Sequence, residues 1–259
     1  MKVHRRLIVA TVAATWLVCT GDARASLTIA IPNFTFNNPN VTDDNFTDSS
    51  VDLDPVPEWL FTSVAVDGNG DPADGNVIST GVWDPVDADY TGATGNDALL
   101  PGAADGGQTA YLYLSQDGSG DVVPLLASLT TSDAVAVIAS STRYDLAVAV
   151  GNSKLFEPGS VTIELLAGSQ VVASAAANAA TVANGAFANL TASFTTLASD
   201  PLEGDDLRVR LAHTFNSTGT REVEFDNIRL ESTFIPEPAS MATVLLAAAG
   251  FVRRRRSMA

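Results

Sequence analysis

The chain has 259 residues and a formal net charge of −16, with 46% hydrophobic and 17% charged residues. This composition supports a packed core and argues against disorder throughout the chain. The negative charge excludes nucleic acid as an expected partner, because such a surface repels phosphate backbones, and it favours Ca²⁺ and neutral ligands.

The N-terminus has the three parts of a secretory signal peptide. A basic start is followed by an uncharged apolar run over residues 7–18, and Ala23 and Ala25 are small residues at the two recognition positions for cleavage. We therefore predict a signal helix over residues 1–25, cleaved after Ala25, and an exported mature protein. Because Cys19 is the only cysteine, the mature protein would have no disulfide and no cysteine nucleophile.

The middle of the chain, residues 26–234, alternates strand-like runs with clusters of Gly, Pro, Asp and Asn. A clear example is the period-2 pattern of Val161, Ile163 and Leu165, which is typical of a strand with one buried face. We predict one all-β domain in this region. Its clearest strands are expected within residues 27–31, 110–114, 134–139, 144–150, 161–166, 207–212 and 221–230.

Four aromatic residues are candidates for stacking on a ligand: Trp59, Trp83, Tyr111 and Tyr113. Alternation places Tyr111 and Tyr113 on one face of their strand. The two tryptophans lie in turn-like contexts, where they are either binding platforms or structural plugs.

The late strand 221–230 carries three acidic side chains and a change of phase. The apolar alternation slips by one residue at Asp226 and Asn227, which predicts a β-bulge there. Glu222 and Glu224 share a face, and a pair of carboxylates can carry out glycoside hydrolysis. We interpret that face as solvated, because charged side chains are mostly exposed.

Other catalytic signatures are missing from the sequence. His213 is the only histidine left after signal removal, and we expect it to be a surface residue at a strand end. No Gly-x-Ser-x-Gly nucleophile elbow is present. One histidine without cysteines also cannot build a typical zinc site. The sequence therefore predicts that the protein is not an enzyme.

Four segments together resemble the galactose-binding-like jelly rolls that include many carbohydrate-binding modules. They are residues 31–36 (Ile-Pro-Asn-Phe-Thr-Phe), 57–59, 143–151 and 223–230. The resemblance implies an antiparallel jelly-roll β-sandwich with a structural Ca²⁺ between the first and last strands. By this resemblance, its candidate ligands are Asn37, which stands where Glu is usual, and Asp226.

The C-terminal residues 235–259 contain Pro236, Glu237 and Pro238, a short apolar segment and a basic cluster of Arg253, Arg254, Arg255 and Arg256. The apolar residues 241–252 span about 18 Å as a helix, against roughly 30 Å of hydrocarbon. Even with residues 239–252 as a short transmembrane helix, a permanent anchor is not expected. Arginines after the segment would keep that end in the cytoplasm.

This tail resembles the PEP-CTERM sorting signal of bacteria. The resemblance implies that an exosortase-type enzyme recognises the Pro-Glu-Pro motif and processes the tail. The protein would then be held transiently in the inner membrane, facing the periplasm, before it reaches the cell surface or extracellular matrix.

The leading hypothesis is therefore a non-catalytic surface or matrix protein with a neutral polysaccharide as its candidate ligand. Two alternatives stay open. One is a secreted glycan-degrading enzyme that uses Glu222, Glu224 or Asp226, and the other is a structural scaffold in extracellular polymer.

Overall fold

The computed structural model describes residues 26–41, 46–48, 55–65, 76–85, 89–91, 104, 107–116 and 122–236. These parts of the chain form strands joined by turns, with one short 3-10 helix at Ala179–Thr181. No helix in them is long and apolar enough to cross a bilayer. The all-β prediction is confirmed, while the predicted helices at residues 1–25 and 239–252 lie outside the described residues.

Within the described residues the chain has twelve strands, numbered in chain order. They are β1 (Ser26–Ile29), β2 (Trp59–Ala65), β3 (Asn76–Trp83), β4 (Thr109–Gln116), β5 (Leu125–Thr131), β6 (Ala136–Val137), β7 (Thr142–Asn152), β8 (Ser160–Ala167), β9 (Gln170–Asn178), β10 (Ala186–Thr195), β11 (Asp206–Phe215) and β12 (Gly219–Phe234).

These strands form two antiparallel sheets that pack face to face as a β-sandwich. Sheet A has the order β10-β7-β12-β4-β3, with β1 also pairing with β12. Sheet B has the order β2-β5-β11-β8-β9, with β6 also pairing with β11. The last long strand, β12, therefore lies in the middle of sheet A, between β7 and β4.

The core lies between the sheets and follows from the alternation of side chains along each strand. Its members in β8 and β11 are fully buried: Val161, Ile163, Leu165, Leu207, Val209 and Leu211. They belong to one apolar cluster with inward residues of sheet A, such as Leu112 and Phe225. Each such side chain contributes about 1.5–3 kcal/mol of transfer free energy.

The predicted bulge in β12 is confirmed. The register against β7 shifts between Asp226 and Arg229, and Asn227 has a φ of 46°, a conformation that Asn adopts more readily than most residues. The shift carries the inward face from Phe225 to Ile228, both of which are buried. As a result, β12 keeps its apolar side toward the core on both sides of the bulge.

The prediction that His213 is a surface residue is wrong, because its side chain is fully buried. It continues the inward face of β11, and its Nδ1 lies 3.0 Å from the Leu112 carbonyl oxygen of β4, so that it links the two sheets. Burial lowers the pKa of this imidazole to about 4. The ring is therefore neutral at pH 7, with Nδ1–H as the donor.

Candidate active site

The outer face of sheet A carries the acidic side chains of β12. In the strand register, Glu222 lies opposite Tyr113 of β4, and Glu224 lies between Tyr111 of β4 and Gly151 of β7. Since side chains two residues apart share a face, both glutamates and both tyrosines project from the same side of the sheet. The face thus combines carboxyl groups with aromatic rings.

The part of this face next to Glu224 is covered by aromatic side chains. The outward positions near the end of β7, Ala149 and Gly151, are small, and Phe187 of β10 packs over them. Tyr90 stacks on the Phe187 ring with 4.8 Å between centroids. A Cβ at residue 151 would come within 2.8 Å of both the Tyr90 hydroxyl and the Phe187 ring. Glycine is therefore what allows these two rings to lie against the sheet.

The interpretation of Glu222 and Glu224 as a solvated pair is wrong. Glu222 is 7% exposed and Glu224 is 0% exposed. The alternation was assigned correctly, but the face is covered by other parts of the chain. Burial rather than exposure therefore determines the chemistry of both carboxyl groups.

A cavity of about 440 Å³ opens over the Glu222 side of this face. Its walls combine aromatic rings, two acidic side chains and smaller residues: Phe46, Asp48, Val77, Ser79, Trp83, Tyr111, Tyr113, Leu155, Phe156 and Glu222. Phe156 meets the Tyr113 ring edge-on at 5.6 Å. Glu222 reaches the cavity, whereas Glu224 is not part of its lining.

The short segment 46–48 forms one side of the cavity and is held on β3 by backbone geometry. Thr47 exchanges hydrogen bonds with Val82, through its backbone N–H at 2.8 Å and its side chain at 2.7 Å. The Tyr111 hydroxyl donates to the Thr47 carbonyl oxygen at 2.7 Å. A Cβ at residue 81 would lie 1.8 Å from that oxygen, so Gly81 is required for the segment to approach the strand.

The two glutamates have perturbed and linked acidities. Burial, the negative charge of Glu224 and a hydrogen bond to it raise the pKa of Glu222 well above its usual range. Burial also raises the pKa of Glu224, although nearby donor groups of Ser153, its own backbone and Glu222 oppose that rise. The pKa values of both carboxyl groups are therefore raised, and Glu222 is the one of the two that faces the aromatic cavity.

A second, larger cavity of about 560 Å³ adjoins the first and shares Leu155 and Phe156 with it. Its lining includes Lys154, and its one acidic residue, Glu157, is exposed and paired with Arg221 at 2.7 Å. It lacks a buried acid, so the smaller cavity is the one of these two with a buried carboxyl group in its wall.

Of the four aromatic residues singled out in the sequence, Trp83, Tyr111 and Tyr113 line the smaller cavity. Trp59 lies elsewhere. It is buried in the core beside Phe36, and its indole N–H donates to the Pro32 carbonyl oxygen at 3.2 Å. Trp59 is thus a structural residue of the sandwich interior.

The two candidate calcium ligands, Asn37 and Asp226, have different surroundings. Asn37 is exposed, and its amide donates to Thr35. Asp226 is fully buried and accepts from the Asn227 N–H at 2.6 Å. No group of three or more His, Cys, Asp or Glu side chains suited to a metal ion occurs in the described parts of the chain.

The predicted processing sites fall almost entirely outside the described residues. This applies to Ala23, Ala25, Glu237, Pro238 and Arg253 to Arg256, while Pro236 is the last described residue. These predictions stay predictions.

Sequence reasoning missed Phe46, Tyr90 and Phe156 as parts of the site, because loops bring them to the sheet. It also missed that the face is covered. A usable signal was present in β7, whose outward positions include Ala149 and Gly151 where a solvated face would carry polar side chains. Small residues on an outward face indicate that another part of the chain packs there.

A family model described as HpiC1-like, HpiC1 cyclase, matches residues 27–231. No significant match was found among curated proteins. Among solved structures, the chain is similar to a Stig cyclase, Fisc, from Fischerella sp. TAU in complex with (3Z)-3-(1-methyl-2-pyrrolidinylidene)-3H-indole. The two chains are 26% identical with a TM-score of 0.57, over 82% of this chain and 100% of that chain.

Two further structures have similar scores. A cyclase from Fischerella sp. TAU in complex with 4-(1H-indol-3-yl)butan-2-one is 27% identical, with a TM-score of 0.55 over 82% of this chain and 100% of that chain. An apo cyclase from Fischerella sp. is 25% identical, with a TM-score of 0.58 over 82% of this chain and 98% of that chain.

These matches overturn the functional prediction made from the sequence. The expected non-catalytic, carbohydrate-binding surface protein is contradicted by similarity to cyclases along nearly the whole described domain. The reason for the error is physical. The two glutamates were interpreted as solvated, so a buried carboxyl group was not considered as a candidate catalytic group.

Proposed function

Because the chain belongs to the HpiC1-like cyclase family, we propose that it is a cyclase in which Glu222 acts as a general acid. The observation that carries the proposal is the buried carboxyl group of Glu222 at the wall of an aromatic cavity. A carboxylic acid that stays protonated near neutral pH can donate a proton in a transition state.

The chemistry follows from the cavity walls. Glu222 donates its proton to an unsaturated substrate, and the carbon made electron-poor by protonation is attacked by a second carbon of the same molecule, which closes a ring. Loss of a proton from the cyclised cation to the Glu222 carboxylate restores the acid, so substrate and product have the same mass. The ring faces of Trp83, Tyr111 and Tyr113 favour a developing positive charge.

For the substrate class, we propose an aromatic, indole-bearing molecule. Support comes from two of the similar cyclases, whose structures contain indole compounds, and from the aromatic lining of this cavity. A cavity of about 440 Å³ is within the range of small-molecule sites.

The first experiment is a direct test of binding and turnover by the purified full-length chain. Binding of 4-(1H-indol-3-yl)butan-2-one is measured by calorimetry. Turnover is then measured on a panel of unsaturated indole substrates, with chromatography and mass spectrometry detecting a product of unchanged mass. We expect Glu222→Gln to reduce turnover by roughly 10²–10⁴-fold, the usual contribution of a general acid, while Glu164→Gln on sheet B leaves it unchanged.

Two outcomes would count against this function. One is a Glu222→Gln variant that turns over as fast as the wild type. The other is the absence of both probe binding and a mass-neutral product across the panel.

Export is a separate proposal. The signal-like residues 1–25 support secretion of the domain, and the Pro-Glu-Pro tail supports processing at the inner membrane by an exosortase-type enzyme. Mass spectrometry of the mature protein from its natural host would test both, because retention of residues 1–25 or of the four terminal arginines would contradict them.

A structural calcium ion, implied by the jelly-roll resemblance, also stays a proposal, with no ligand set assigned to it. If calcium is bound, the melting temperature should rise when CaCl₂ replaces a chelator. Equal melting temperatures in the two conditions would contradict it.

A further inference from the structure

Glu224 has a position that the proposed acid chemistry does not by itself require. It is fully buried two residues along β12 from Glu222, it does not line the cavity, and its strand neighbours are Tyr111 and Gly151. A second carboxyl group in such a place is costly unless it is neutralised or hydrogen-bonded. A functional role would explain why the fold keeps a second carboxyl group in this position.

Within the part of the chain that the structure describes, no salt bridge neutralises either carboxyl group. Among the described residues, the salt bridges are those of Arg143 with Asp145, Arg210 with Glu164 and Arg221 with Glu157. Neither oxygen of Glu224 has a well-formed hydrogen bond within the described part of the chain. Two negative charges side by side in a covered site repel each other, so the pair retains one proton.

We propose that Glu224 is a positioning residue, the ionised half of a buried pair that keeps one shared proton on Glu222, which is the half that faces the substrate. This inference rests on the proposed function, since it explains how the acid is held ready. The assignment of the charge to Glu224 follows from its surroundings. The buried Ser153 hydroxyl lies near the Glu224 carboxyl group and has no hydrogen-bond partner within the described part of the chain, so it is available as a donor to a carboxylate there. Glu222 is the member in reach of the cavity.

Tyr90 contributes from the other side. Its hydroxyl lies against Gly151 and beside Glu224. Burial and the negative charge of Glu224 raise its pKa above the usual value, so it is a neutral phenol beside the Glu224 carboxyl group. Among the described residues, further titratable or charged groups around the pair are Asp48, Asp89, Tyr111, Tyr113, Lys154, Glu157, Arg221 and Asp226.

The test is an infrared titration of the full-length protein, which needs no substrate. A buried carboxylic acid has a C=O stretch separate from that of carboxylates. The wild type should show this band at neutral pH, and Glu222→Gln should abolish it. In Glu224→Gln the midpoint of its titration should fall by at least about one pH unit, because the neighbouring charge is gone.

The control is Glu164→Gln, which removes a glutamate that is paired with Arg210 on the other sheet. Its band and midpoint should match the wild type. If Gln at position 224 prevents folding, Glu224→Asp replaces it, and the midpoint should fall by a smaller amount because the charge is retained farther from Glu222.

Two results would overturn the proposal. An unchanged midpoint in the position-224 variants would mean that the charge of Glu224 does not affect the titration of Glu222. A band that survives Glu222→Gln and disappears in Glu224→Gln puts the proton on the wrong residue.

The result is also separable from that of the proposed function. If Glu222→Gln keeps its turnover while the midpoint shifts in Glu224→Gln, the acid mechanism fails and the pair stands. If Glu222→Gln is inactive and the midpoint does not move, the pair fails and the cyclase stands.

Discussion

The outer faces of the two sheets use the same kind of residue in opposite ways. On sheet B, Glu164 of β8 forms an ion pair with Arg210 of β11, with side chains that are 13% and 34% exposed. On sheet A, Glu222 and Glu224 of β12 are buried beside aromatic rings, with no cation paired to them among the described residues. One face makes a partly exposed ion pair, and the other buries two carboxyl groups without a paired cation among the described residues.

The difference comes from the strands and loops next to each glutamate. Next to Glu224, the outward residue of β7 is Gly151, and its lack of a side chain leaves room for Tyr90 and Phe187 to cover the sheet. On sheet B, a long charged side chain lies next to Glu164. A carboxyl group on a strand therefore acquires its acidity from its neighbours across the sheet, not from its own place in the alternation.

The largest effect is expected from Gly81→Ala, which displaces segment 46–48 from the outer face of sheet A. In Gly81→Ala the new Cβ would lie 1.8 Å from the Thr47 carbonyl oxygen, so segment 46–48 must leave β3 and the bond from Tyr111 is lost. We expect the free energy of unfolding to fall by about 3 kcal/mol or more, with loss of probe binding. Urea denaturation and calorimetry measure the two effects.

The matched control for this substitution is Gly168→Ala. Its Cβ would meet no atom within 4 Å, so only the φ of 57° is unfavourable, at a cost of about 1–2 kcal/mol. If both alanine variants lose the same stability and both bind the probe, segment 46–48 does not form the cavity as described.

The sequence predicted most of the fold but only part of the candidate site, because the two depend on the sequence in different ways. Alternation such as Val161, Ile163 and Leu165 identifies an inward face, because burial in the core depends on the strand itself. The same alternation places Glu222 on an outward face, but it does not determine whether that face is exposed to solvent. That depends on loops, including the one that carries Tyr90, which are distant in sequence.

The core between the sheets also contains a titratable side chain, His213, which can be compared with the glutamates on the two outer faces. Its pKa of about 4 is below the ordinary value of 6.5, so folding favours the neutral ring. The neutral ring therefore contributes to the free energy of unfolding above pH 6.5. This contribution, about 3 kcal/mol in total, is lost as the pH falls toward 4.

His213→Asn keeps a donor near the Leu112 carbonyl oxygen and cannot titrate. Chemical denaturation of both proteins at pH 7 and at pH 4 should show a smaller loss on acidification in the variant. Equal losses in the two proteins would mean that His213 is not the group that acid protonates.

The smallest effect is expected on the outer face of sheet B. Glu164→Gln removes the charge that pairs with Arg210 but keeps the shape of the side chain, and the pair is partly exposed. Such pairs contribute little, because solvent screens the attraction and two side chains lose freedom. We expect the free energy of unfolding at pH 7 to change by less than about 1 kcal/mol, and less still at high salt, as measured by urea denaturation. A loss of several kcal/mol would mean that the glutamate on sheet B is as dependent on its surroundings as the pair on sheet A, and the contrast between the two faces would no longer explain where the acid is.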